Sequence, residues 1–134
     1  MRVNSAVVSQ VVPVGFADLA EAADELPGQE LTEDRIQLKV HGLVGTGFPG
    51  EIRFGGTLRT IPALIPSMKV EVVVSPWSAD RSEVAIHPIT NIGELDSLRA
   101  NRFFKAACSI LPAVIDHLKA QLPAEAPAAL EPAA

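Results

Sequence analysis

Cysteine occurs once, tyrosine not at all, tryptophan once and histidine three times in the 134 residues, and aromatic side chains make up 4% of the chain. Each shortage excludes something. One cysteine, Cys108, cannot form an intrachain disulfide, and its place in an apolar helical stretch, where burial raises a thiol pKa, makes it a small buried hydrophobe and not a reactive thiolate. His41, His87 and His117 are the only side chains with ordinary titration near neutral pH. None forms an H-x-x-x-H pair and no C-x-x-C occurs, so the convergent ligands of a metal site are missing and no metal or other cofactor is expected. No serine lies in a G-x-S-x-G turn, and no catalytic residue is assigned.

Positive charge is also scarce: 11 bases against 16 acids leave a net charge of −5, a poor footprint for general nucleic-acid binding. With so few aromatics there is no stacking platform for single strands either, and no nucleic-acid partner is expected. Long apolar runs are missing, because Pro13, Pro62, Pro66 and Pro112 interrupt the candidates before they reach membrane-spanning length. Arg2 followed by Ala6 to Val14 falls short of an export signal, since Ser9 and Gln10 break the run and no small-x-small cleavage site follows. These absences predict a soluble, cytoplasmic protein.

What is present is aliphatic: 48% of the chain is apolar, and a chain of this length can bury roughly 65–70% of its unfolded surface without staples. Charge is uneven along it. Residues 1–34 hold one base against seven acids (net −6), residues 35–119 ten bases against seven acids (net +3), and the remainder two acids (net −2).

Periodicity predicts an α+β domain over residues 1–122. Val3, Val7, Val8, Val11 and Val12 favour a strand over 1–12, and Pro13 and Gly15 end it. Phe16, Leu19, Ala20, Ala23 and Leu26 form a helical stripe that Pro27-Gly28 stops. Four alternating runs follow, with Ile36, Leu38 and Val40, then Ile52, Phe54 and Leu58, then Met68, Val70, Val72 and Val74, then Val84 and Ile86 facing inward. Gly55-Gly56 suggests a bulge or bend in the second. The result is a curved antiparallel meander of about five strands with one covered face.

The cover is a long C-terminal helix over 94–122. Asn91 and Glu94 have capping-box spacing ahead of it, and its stripe of Leu95, Leu98, Phe103, Ala107, Ile110, Val114 and Leu118 is widened by Phe104, Leu111, Ile115 and Leu122. Pro112 lies toward the polar side, where it predicts a kink that wraps the helix around the sheet without ending it. Residues 123–134 are an Ala/Pro-rich flexible tail.

Gly45-Thr46-Gly47-Phe48-Pro49-Gly50 fits G-x-G-x-x-G, but a phosphate site needs a helix N-terminus next, and here Pro49 and an alternating strand follow. A hairpin or mobile loop remains, with Phe48 placed to act as a lid. The outward parities gather Arg35, Lys39, Lys69, Arg53 and Arg59 against Glu51, Glu71 and Glu83, which makes a mildly basic face.

The order strand, short helix, antiparallel strands and long C-terminal helix, carried by "VVPVGFADLAEAADEL" and "RFFKAACSILPAVIDHLKAQL", resembles the helix-grip domains of the START and Bet v 1-like type. The halves of BPI-like lipid-binding domains share a similar order. Either resemblance implies an apolar ligand, and the helix-grip one a sheet that encloses a cavity. The expected function is therefore non-catalytic binding of a hydrophobic or amphipathic, lipid-like small molecule between sheet and C-terminal helix. Phe48, Phe54, Phe103, Phe104, Ile110, Leu111, Val114 and Ile115 are its candidate ligand-binding residues. The alternative is a homo-oligomeric interaction or structural domain, whose subunits would join through the apolar surplus and the opposed charges.

Overall fold

The computed structural model describes residues 2–3, 8–45, 50–61, 67–89 and 97–122. The chain is α+β. Its strands are β1 (Arg2–Val3), β2 (Val8–Val12), β3 (Glu30–Glu33), β4 (Ile36–Gly45), β5 (Ile52–Thr60), β6 (Met68–Ser78) and β7 (Arg81–Pro88), with helices α1 (Phe16–Ala23) and α2 (Ser97–Ala120). Six strands curl into an antiparallel half-barrel, and the two-residue β1 extends it to seven in the order β1-β2-β7-β6-β5-β4-β3. The first long strand thus pairs with the last, Val8 opposite Ile86, and the intervening strands form a meander.

Seven strands stand where about five are expected, for two local reasons. The single strand over 1–12 is an antiparallel pair, with Arg2 opposite Ser9 and Val3 opposite Val8. β3 lacks the apolar alternation that marks the other strands: of Glu-Leu-Thr-Glu only Leu31 turns toward the core, the rest being exposed. It is tied to β4 by a two-residue loop, Asp34-Arg35, with φ of 51° and 67°. Two successive left-handed residues match the twist of a hairpin, as in a type I′ turn, but Asn-Gly or Asp-Gly normally supplies them. Arg35 therefore lies in the turn and not on the outward face of β4.

The predicted bend appears opposite Gly55-Gly56, with the extra residues on the partner strand. Val40 pairs with Gly56 and Gly42 with Gly55, so His41 is bulged, and a second shift separates Leu43 from Gly45. Gly56 permits this: a Cβ there would come within 3.1 Å of the Lys39 carbonyl oxygen and 3.2 Å of Leu38 Cδ1. Paired bulges on one strand raise its local twist, which helps to curl a sheet.

Helix α1 closes three residues before the predicted stop. Asp24, Glu25 and Leu26 donate instead to carbonyls three residues back, which tightens the last turn and tucks Leu26 into the core. Gly28 follows at φ 88°, its N–H donating to the Val40 carbonyl at 2.8 Å.

α2 runs unbroken for 24 residues through Pro112, which faces solvent. It packs against α1, β2, β3, β4, β5 and β7, and so reaches across the concave face from one side of the sheet to the other. The core lies between: Val8, Leu38, Val40, Phe54, Val70 and Val72 from the sheet meet Phe103, Ile110, Leu111, Val114 and Leu118 from α2, with Leu19 and Leu26 at the α1 end. The expected inward parities of β4 through β7 are the buried ones, with Ile36, Ile52 and Met68 only partly covered.

Two backbone costs follow. Proline is about 3 kcal/mol less favourable than alanine inside a helix, and Pro112 recovers little of that by packing. Pro112→Ala should therefore raise stability by roughly 1–3 kcal/mol in urea unfolding, and a loss would mean that the proline-shaped path of α2 is needed for docking. Arg35→Gly should add about 1 kcal/mol by relieving a left-handed non-glycine residue, read the same way; an unchanged midpoint would refute the strain.

Candidate functional site

The concave side of the sheet and the apolar stripe of α2 bring together six of the eight candidate residues. Phe54, Phe103, Ile110, Leu111, Val114 and Ile115 belong to one continuous cluster, each 4% exposed or less. Phe104 is half-buried at its margin, its ring edge-on to Phe103 at a centroid distance of 5.3 Å and 66° between planes. Phe48 lies outside the described residues, as do Asn91 and Glu94 and the tail 123–134.

The cluster is aliphatic and aromatic throughout, with no charged member among the described residues. It does not end at the helix. Leu43 pairs with Phe54 across the β4–β5 ladder, yet it is 63% exposed; Val44 beside it turns to the convex face, its Cγ2 3.2 Å from where a Cβ on Gly55 would stand. Paired residues share a sheet face, so the apolar concave surface continues past the cover of α2 into solvent at this end.

Polar groups within the buried layer are few. Ser82 is fully buried and donates to the Val14 carbonyl at 2.7 Å, which ties the start of β7 to the β2–α1 connection. His117, on α2 between buried Val114 and Leu118, is half-buried, and its Nε2 is enclosed without a hydrogen-bond partner among the described residues.

The convex face carries a second arrangement. Arg53 donates from Nε to Glu51 at 3.0 Å and from Nη1 to Glu71 at 2.9 Å, and these bonds hold its guanidinium above the ordinary arginine value. Beside it, Ser9, Val73 and Ala85 are buried on a face expected to be solvated, in one register row across β2, β7 and β6. They are small residues among taller ones: Arg53 is the register partner of Val73, and Ser9 Oγ donates to Glu83 at 3.1 Å. His87, the register partner of Glu71, is partly desolvated, which with the nearby Arg53 charge pushes its pKa below the ordinary 6.5; Glu71, Glu51 and Glu83 oppose the shift. His41 shares a 2.7 Å hydrogen bond with Thr57 Oγ1, and Arg59 donates to Gln37 Oε1 at 2.6 Å. On the basic face Arg53 is thus neutralised by carboxylates, whereas Arg59 is bonded to a neutral amide and Lys39 and Lys69 are exposed.

Cys108 is half-buried beside the core, and desolvation pushes its thiol up. Among the described residues no group of three His, Cys, Asp or Glu could hold a metal ion, and no helix is long and apolar enough to cross a membrane. Compared with protein-family models, curated proteins and solved structures, the chain matches none.

Sequence parity places Arg53, Glu71 and His87 on the outer face, but not side by side; that needs the strand register. The enclosed end of His117 has no sequence signal, because helical spacing puts it at the polar edge of the stripe.

The His87 shift has a definite sign. An unfolded histidine takes up its proton as pH falls through 6.5. Folded His87 resists, so the unfolded state binds more protons and stability declines with falling pH. His87→Gln should flatten the decline in melting temperature between about pH 7 and about pH 5.5; equal slopes for both proteins would show that the histidine is not responsible.

Proposed function

We propose that this domain binds a hydrophobic or amphipathic, lipid-like small molecule on the concave side of its sheet, against α2. The observation that carries the reading is the continuity of apolar surface from the enclosed cluster, through the Phe54–Leu43 pair, to a rim open to solvent. A purely structural core has no use for such an extension. An alkyl chain laid along the rim would cover Leu43 and gain roughly 0.8 kcal/mol for each methylene taken from water. Deeper entry would require Ile52, only partly covered at the same end of β5, to repack. The helix-grip resemblance of the sequence implies the same ligand class.

Native mass spectrometry and thermal shift with a panel of fatty acids and phospholipids test this. At a hundredfold excess over the dissociation constant, binding contributes about 2.7 kcal/mol, enough to raise the melting temperature by several degrees. Leu43→Glu, at an exposed position where the fold should change by less than about 0.5 kcal/mol, should weaken binding at least severalfold. A panel with no bound lipid and no shift would overturn the reading.

The exposed Leu43 favours a second reading, self-association, in which Leu43 of one copy is covered by another. Sedimentation separates the two: a dimer insensitive to salt that Leu43→Glu dissociates supports self-association, and a monomer removes it.

A further inference from the structure

Folded proteins satisfy nearly all their buried polar atoms, and each exception asks for an explanation. Among the described residues one buried side-chain nitrogen or oxygen has no partner, Nε2 of His117. The contrast with the other buried polar side chains is sharp: Ser9 is bonded to Glu83 and Ser82 to the Val14 carbonyl. His117 as a whole is half-buried while this nitrogen is enclosed. One turn back on the helix is Val114 and the next residue is Leu118, both fully buried.

We propose that His117 Nε2 is the contact for the polar head of the ligand, and that the ligand is a single-chain amphiphile with an oxygen-bearing head, a carboxylate or a hydroxyl. This rests on the reading above that the concave side takes a lipid-like molecule, and it adds which class. The chemistry is restrictive. One imidazole nitrogen makes one hydrogen bond, as donor or acceptor according to tautomer, and a hydroxyl answers either while a carboxylate answers the donor. The aliphatic surroundings require the remainder of the molecule to be apolar. A diacyl phospholipid, with a large multiply charged head, does not suit a single enclosed nitrogen. A partner on Nε2 would also remove a penalty that the empty protein carries, so the head contributes to affinity by both routes.

Dodecanoate, 1-dodecanol and dodecane, which share a chain length, separate head from tail. Wild-type protein should bind the two oxygen-headed probes roughly tenfold more tightly than dodecane, and should show a shift of the His117 Nε2 resonance in long-range 1H–15N spectra with those two alone. His117→Leu should lower affinity for the headed probes about tenfold and leave dodecane unchanged, and His117→Gln, which keeps a hydrogen-bonding end, should recover part of the preference. Urea unfolding of the variants verifies that they are folded. If dodecane and the headed probes bind wild type and His117→Leu alike, without a change at Nε2, the head-group assignment fails and the lipid reading stands. If no probe binds wild type, both fail.

Discussion

Everything in this chain depends on α2 lying across the concave face. A curled antiparallel sheet of this size has one apolar face, and without the helix the inner residues of β4, β5 and β7 would lose their cover, those of β6 being met by α1. Phe103, Ile110, Leu111, Val114 and Leu118 are each fully buried by the contact. At about 1.5–3 kcal/mol for each large apolar side chain, they contribute on the order of 10 kcal/mol, as large as the whole net stability typical of a domain. The helix cannot lift off to admit a ligand without unfolding the protein. Access must therefore come from local repacking at the margins, which is where Phe104, Ile52 and Met68 are half-covered and where Leu43 protrudes.

The two faces of the sheet are built on different physics. The concave one is held by buried apolar area. The convex one is a row of small buried residues flanked by a three-member ion network, Glu51–Arg53–Glu71, in which each charge is still partly wet. Such pairs are worth little individually. Their effect here is one of arrangement: Arg53 neutralises two carboxylates that the register places close together, and its charge discourages protonation of His87 nearby. The depressed His87 thus lies on the face away from the apolar cluster.

Where one physical signal dominated, the sequence was readable. Strict alternation located the inner residues of β4 to β7, and the 3.6-residue stripe located α2, because both patterns are imposed by burial on one side. Legibility stopped where burial stopped. β3 has a single half-buried residue in four, and the turn that joins it to β4 uses Asp34-Arg35 in a conformation usually announced by glycine, so neither strand nor hairpin left a pattern. The Gly55-Gly56 pair did mark the bend, but which strand takes the extra residue depends on register, a property of two strands together. Of the candidate ligand contacts, the stripe residues were found because they are core-facing; the enclosed end of His117 was missed because helical phase fixes a side chain's direction and not the depth of its tip.

The acidic first quarter acquires a structural meaning once the strand order is known. Glu30 and Glu33 are exposed on β3, the terminal strand of the sheet, and α1 carries Asp18 and Glu21. Among the described residues nothing pairs with the outer edge of β3, and an open edge invites a second copy to add its own strand. Antiparallel pairing of two such edges would bring Glu30 and Glu33 of one copy against those of the other, and like charges placed opposite each other on neighbouring strands repel. The edge is protected by the same residues that break its apolar alternation. Continuation of the sheet through β3 is therefore an unfavourable route to association, which favours contact through exposed apolar side chains, Leu43 among them, the residue that a lipid chain would also cover. Binding and self-association are then competitors for one patch, so a ligand that covers the rim should favour the monomer.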